Sequence, residues 1–124
     1  MQVHLGKLTF IGHSLGGIII REALKSLKTY SKHFHGYVSL GSPHLSYMYN
    51  STSIIDAGMW LIKKFKQSDS LKQLSMSDTA DKRQSYLYQL SKDSSLQGFK
   101  YVIFVSSYQD SYAPHDSARV QMTS

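Results

Sequence analysis

Gly12-His13-Ser14-Leu15-Gly16 spells Gly-x-Ser-x-Gly. A serine hydroxyl attacks a carbonyl only when it stands clear of its surroundings and a base takes its proton. This spacing suits a nucleophile elbow, a sharp turn between a strand and a helix that lifts the hydroxyl above a sheet. Residues two before and two after the serine are expected to crowd that turn, so that glycine alone avoids a clash. The following helix directs free N–H groups and the positive end of its dipole at a developing oxyanion, with the Leu15 N–H as one donor. Two other readings stand beside this one: an unreactive glycine-rich turn, and a phosphate cradle. The cradle lacks the lysine of a Walker loop, and Gly-x-Gly-x-x-Gly is absent.

A nucleophilic Ser14 requires a base and an acid that orients it. In this fold the chain order is Ser, then Asp or Glu, then His. Asp110 follows a strong strand signal at once, which places it at a strand C-terminal end, where open α/β sheets build their sites. The competing role is an Asx-turn residue ahead of Pro114. Asp56, Asp69, Asp78, Asp81 and Asp93 sit in helical or linking stretches with no strand before them. Of the six histidines, His115 alone comes after Asp110, five residues on. It would have to reach Asp110 and Ser14 from one short loop, and it is the disfavoured candidate base. His13 is expected to point away from the reactive side, and His44 could line the site mouth. His33 and His35, two apart in what reads as strand, face one way; a surface role is preferred there to a metal pair.

The elements that must position these residues read as strand, helix and strand within about thirty residues, the size of a parallel βαβ unit. Residues 7–12 form a short apolar run ending in glycine, and 34–40 a second strand closed by Gly41-Ser42-Pro43. From Ser14 to Lys28 helical spacing separates a polar stripe with Arg21, Glu22 and Lys25 from an apolar one with Ile19, Ala23 and Leu24. A helical insertion follows. Ile54, Gly58, Leu61, Ile62 and Phe65 share a face bordered by Lys63, Lys64 and Lys66. Leu71 and Leu74 suggest a short helix, and 80–92 a longer one. Residues 100–106, β-branched and aromatic, are the strongest strand, and a last helix begins near His115. Three parallel strands at 7–12, 34–40 and 100–106 are expected in that order, with Ser14 and Asp110 at one sheet end. Strand 7–12 is expected to be an exposed edge open to self-association.

The chain has 124 residues, a soft prior of one domain. Hydrophobic residues at 41% and charged ones at 18% exclude a disordered chain. The formal charge of +6 favours anionic partners without choosing among them, and no nucleic-acid motif accompanies it, so a nucleic-acid partner is not expected. There is no cysteine, hence neither a disulfide nor a thiolate zinc site, and no metal or cofactor is expected. The first ten residues do not read as a signal peptide, and no apolar run could span a bilayer. The reading is a soluble cytoplasmic domain, with peripheral contact to an anionic membrane as a further expectation.

Three blocks in order, Phe10-Ile11-Gly12-His13-Ser14-Leu15-Gly16-Gly17, Gly41-Ser42-Pro43-His44-Leu45, and Gln109-Asp110 with Pro114 and Ser117-Ala118-Arg119, resemble the putative serine esterase family, a lipase-like branch of the α/β-hydrolases. The closest likeness is to the esterase-like domain at the C-terminal end of certain large eukaryotic proteins. It extends through Asn50-Ser51-Thr52 and Gly58-Met59-Trp60-Leu61. Ser46 stands where a glycine is usual, and Ala113 where a valine commonly precedes the proline. The resemblance implies Ser14 as nucleophile, Asp110 as acid, and an ester or lipid substrate cleaved through a Ser14 acyl-enzyme. It also implies that the basic amphipathic stretch Ile54–Lys66 occupies the place of a lipase lid, where it could meet an acyl chain or an anionic lipid surface; a helix that simply covers the sheet is the preferred reading.

In that family the base follows a further helix and strand beyond the acid. Those need about twenty residues, and of the 124 residues only the last 14 follow Asp110. Several strands usually precede the nucleophile strand, and with them the loop that supplies the second oxyanion N–H. The expectation is therefore a partial α/β-hydrolase fold over residues 1–124, truncated at both ends and feebly active alone. A non-catalytic remnant serving as an interaction module is the alternative.

Overall fold

The computed structural model describes residues 4–46 and 69–121. Three strands, β1 (Leu8–His13), β2 (Phe34–Leu40) and β3 (Tyr101–Val105), form one parallel sheet in the order β1-β2-β3. The four helices among the described residues are α1 (Leu15–Leu24), α2 (Asp69–Leu74), α3 (Tyr86–Ser91) and α4 (His115–Ala118). The expected strands are present within a residue at each end, in the expected order. The chain is a three-stranded α/β unit in which β1 and β3 are the outer strands. The stretch Ile54–Lys66, with Asn50-Ser51-Thr52 and Gly58–Leu61, lies outside the described residues.

Both crossovers move across the sheet in the same direction, and their helices share one face. There Ile18 of α1 packs with Leu74, Leu87 and Leu90. A second cluster joins Leu24 to Phe34, Tyr37 and Phe99, where the Phe34 and Phe99 rings stack at 4.6 Å and Phe10 meets both edge-on. The opposite face carries Ile11, Val38 and Ile103 in lateral register, with Ile11 and Ile103 exposed.

Three local departures from the sequence reading have physical causes. Helix α1 ends at Leu24, not Lys28, because Ser26 and Leu27 bond back to Ala23 and Leu24 and tighten the last turn. The stretch 80–92 is broken at Ser85, whose backbone is extended while its buried hydroxyl donates to the Lys82 carbonyl. Asp78 then accepts the Tyr86 N–H at 2.8 Å and Asp81 the Arg83 N–H at 2.9 Å, so α3 and the short 3-10 turn before it are capped separately. His33 belongs to the 3-10 turn Lys28–His33, where its Nδ1 meets the Gly6 carbonyl at 2.8 Å. It is not on the strand with His35.

Arg21 is the larger correction. The polar stripe of α1 was to include it, yet Arg21 is buried while Ile19 and Ala23 are exposed. Its guanidinium donates to the Leu90 carbonyl at 2.8 Å and to His44 Nδ1 at 3.3 Å.

Candidate active site

Ser14 occupies the single residue between β1 and α1, and its backbone sits at φ 53°, ψ −125°. L-residues rarely adopt that combination, which costs about 1–3 kcal/mol and persists only where the surroundings enforce it. The enforcement is visible. The Ser14 N–H donates to the Leu40 carbonyl at 2.9 Å, which pins the turn to the end of β2. A side chain on Gly12 would lie 2.5 Å from the Gly17 nitrogen and 2.6 Å from its Cα, so the helix can start directly above the strand only over a glycine. Gly17 is also crowded, though by side chains and not backbone: a Cβ there would run into the hydroxyls of Ser42 and Ser39. Gly16 differs from expectation, since a Cβ there meets no described atom within 4 Å. The crowded positions are therefore Gly12 and Gly17.

Although Ser14 stands at the N-cap of α1, its hydroxyl makes no capping bond. The Leu15 N–H, first in the helix, has no backbone partner among the described residues, as expected of a helix N-terminus. A half-buried serine and an N–H without a backbone partner among the described residues thus adjoin at the positive end of α1.

Asp110 is held close by. Its Oδ1 accepts the N–H groups of Tyr112 and Ala113 at 2.8 and 3.0 Å, so Asp110 does fill the competing role of an Asx-turn residue ahead of Pro114. Its Oδ2 has no hydrogen-bond partner among the described residues and lies 2.7 Å from where a Gly41 Cβ would be. Gly41 has φ 56°, and its N–H donates to the Val105 carbonyl at 2.9 Å. The Leu40 carbonyl and the Gly41 N–H are two ends of one peptide group. One end takes the Ser14 turn and the other holds β3, the strand that leads to Asp110. Ser14 and Asp110 therefore flank the C-terminal end of β2.

No described histidine hydrogen-bonds either residue. The His115 ring stacks on Tyr108 at 3.7 Å, and its Nδ1 lies 3.3 Å from Asp116 Oδ1. His13 is exposed. His44 does not line a site mouth. It is fully buried, with Nδ1 at Arg21, Nε2 2.7 Å from Ser39 Oγ, and its ring against Phe104. Arg21 can only donate, so Nδ1 accepts and Nε2 carries the proton. Burial first, and the Arg21 charge second, push the imidazole down to about 3. It is a neutral packing residue. The sequence gives one signal for this network, a histidine in the turn after a buried strand, and none for its arginine partner.

Among the described residues no group of three or more His, Cys, Asp or Glu side chains could hold a metal ion, and no helix is long and apolar enough to cross a membrane. Compared with known families, residues 2–121 match the model described as "Putative serine esterase (DUF676)". The chain belongs to this serine esterase family. That membership and the three parallel strands make the fold a part of the α/β-hydrolase architecture. No solved structure matches the chain.

Proposed function

We propose that this member of the serine esterase family cleaves carboxylic esters, including those of lipids, with Ser14 as nucleophile and its turn as a nucleophile elbow. The observation that carries the reading is the enforced backbone of Ser14 beside a free Leu15 N–H. Strain of this kind clusters where function requires it. In the reaction Ser14 Oγ bonds to the ester carbonyl carbon as its proton passes to an imidazole. The carbonyl electron pair moves onto oxygen, which the Leu15 N–H receives. Collapse expels the alcohol, which takes the proton. Water then repeats the sequence on the acyl-enzyme and releases the acid.

Asp110 is the acid that orients the imidazole. With Oδ1 occupied by two backbone donors, Oδ2 is left to accept the imidazole N–H. The base is a histidine other than His115, which is engaged by Tyr108 and Asp116. Hydrolysis of p-nitrophenyl esters by the protein tests all three assignments. Ser14→Ala should lower kcat by a thousandfold or more, and Asp110→Asn by about 10²–10⁴. His115→Ala should leave kcat within threefold. Activity that survives Ser14→Ala ends the proposal; loss of activity in a folded His115→Ala protein makes His115 the base.

A further inference from the structure

A cavity of about 140 Å³ lies between α1 and α2. Leu15, Ile18, Ile19, Leu74 and Tyr86 supply its apolar wall, and Ser70 and Gln73 complete it. Ile18 and Leu74 are buried while Ile19 and Ser70 are exposed, so the cavity runs inward from the surface. One lining residue, Tyr86, is tied down at both its backbone and its hydroxyl. The Tyr86 hydroxyl donates to Glu22 Oε2 at 3.1 Å, its N–H donates to Asp78 at 2.8 Å, and Lys25 pairs with the same Glu22 oxygen at 2.6 Å. One lining residue, Leu15, follows Ser14 directly in the chain.

We propose that this cavity is the acyl pocket of Ser14 and takes straight acyl chains of about four to six carbons. The assignment rests on Ser14 being the nucleophile. The acyl group is the part of an ester that stays bonded to that serine, and an apolar cavity walled by the next residue is where its chain can leave water. Size sets the limit: a cavity of about 150 Å³ lined by Leu, Ile and Phe holds one benzene ring, six carbons. Each buried methylene contributes about 0.8 kcal/mol, a factor of about four in affinity, so preference should climb from acetyl to hexanoyl and then level off. Ser70 and Gln73 are the specificity-determining positions, because larger side chains there fill the cavity from the α2 side while leaving the buried Ile18 and Leu74 in place.

The test is ¹³C-methyl NMR of the chain titrated with acetate, butyrate, hexanoate and dodecanoate. Methyl groups of Leu15, Ile18, Ile19 and Leu74 should shift saturably with butyrate and hexanoate. Acetate should leave them unmoved, and dodecanoate should bind no more tightly than hexanoate. Ser70→Phe and Gln73→Phe, made separately, should each raise the hexanoate Kd at least tenfold with Tm unchanged within about 3 °C. In the protein the same variants should lower the ratio of kcat/KM for p-nitrophenyl hexanoate to that for the acetate ester about tenfold. Unmoved methyls, or a hexanoate Kd indifferent to both variants, overturns the pocket. Because Ser14→Ala should bind hexanoate as the unaltered chain does, the pocket and the nucleophile fail separately. Saturable shifts with an inert Ser14 refute the nucleophile. Ser14-dependent hydrolysis with no chain-length preference refutes the pocket.

Discussion

Ser39 and Leu40 are neighbours on β2, and the polar groups gathered around each are in opposite states. Beneath Ser39, the Arg21 guanidinium reaches two acceptors, both ring nitrogens of His44 are engaged, and His44 is fully buried. Beside Leu40 and among the described residues, the half-buried Ser14 makes no capping bond, the Leu15 N–H has no backbone partner, and one Asp110 carboxylate oxygen accepts no hydrogen bond. A saturated polar group in a low dielectric rigidifies the core. Spare hydrogen-bonding capacity on a backbone held out of its preferred shape is what a reacting group needs. Residue type does not separate the two sets, since each includes a serine and a charged residue. Saturation does.

Glycine substitution should test this comparison most severely. Gly12→Ala places a methyl group against Gly17 backbone that cannot rotate away, and should cost about 3 kcal/mol in urea unfolding. Gly16→Ala meets open space within a helix and should instead stabilise by about 0.5–1 kcal/mol. If both variants destabilise alike, the crowding belongs to the motif and not to Gly12.

The saturated set is best probed by acid. His44 is held near 3 when folded against 6.5 as its ordinary value, so between those limits the unfolded chain binds the extra proton. Stability then falls as pH drops through the unfolded pKa, at roughly 1.4 kcal/mol per pH unit, and the loss levels off only below the folded pKa. From pH 6 to pH 4 the unaltered chain should lose about 2–3 kcal/mol more than His44→Gln in parallel urea titrations. Equal losses would mean that His44 is not the buried neutral group described.

A smaller effect is expected at the turn. Ser14→Gly should raise stability by about 1 kcal/mol, because glycine relieves the positive φ, whereas Ser14→Ala keeps the Cβ and should gain nothing. Two variants of equal stability would show that the turn holds no strain, and the contrast between the two sets would lose its energetic half.

The three strands were legible because β-branched and aromatic runs between glycine-rich turns have few other fates. Strand order followed from crossover lengths. The turn at Ser14 was legible for a similar local reason: the two glycines that permit it, Gly12 and Gly17, lie close to it in the chain. The Arg21–His44 network was not, because its members are 23 residues apart and its other acceptor, the Leu90 carbonyl, is 69 residues from Arg21. Helical spacing counts an arginine as polar whatever its stem can bury. Gly16 misled in the opposite way: a motif glycine invites a steric reason, and the steric burden falls instead on Gly17, outside the five-residue pattern. Ser85 broke an expected helix because a serine hydroxyl can satisfy a nearby carbonyl as well as a helix can.

One peptide group, Leu40–Gly41, accepts from the Ser14 turn through its oxygen and donates to β3 through its nitrogen. The two ends of a rigid amide cannot move independently. A tilt of that plane displaces the strand ahead of Asp110 and the turn that carries Ser14 at the same moment. Thermal motion of the strand ends is thereby shared between the two residues as correlated movement. The gap between the two residues can keep its width while the strand ends sway.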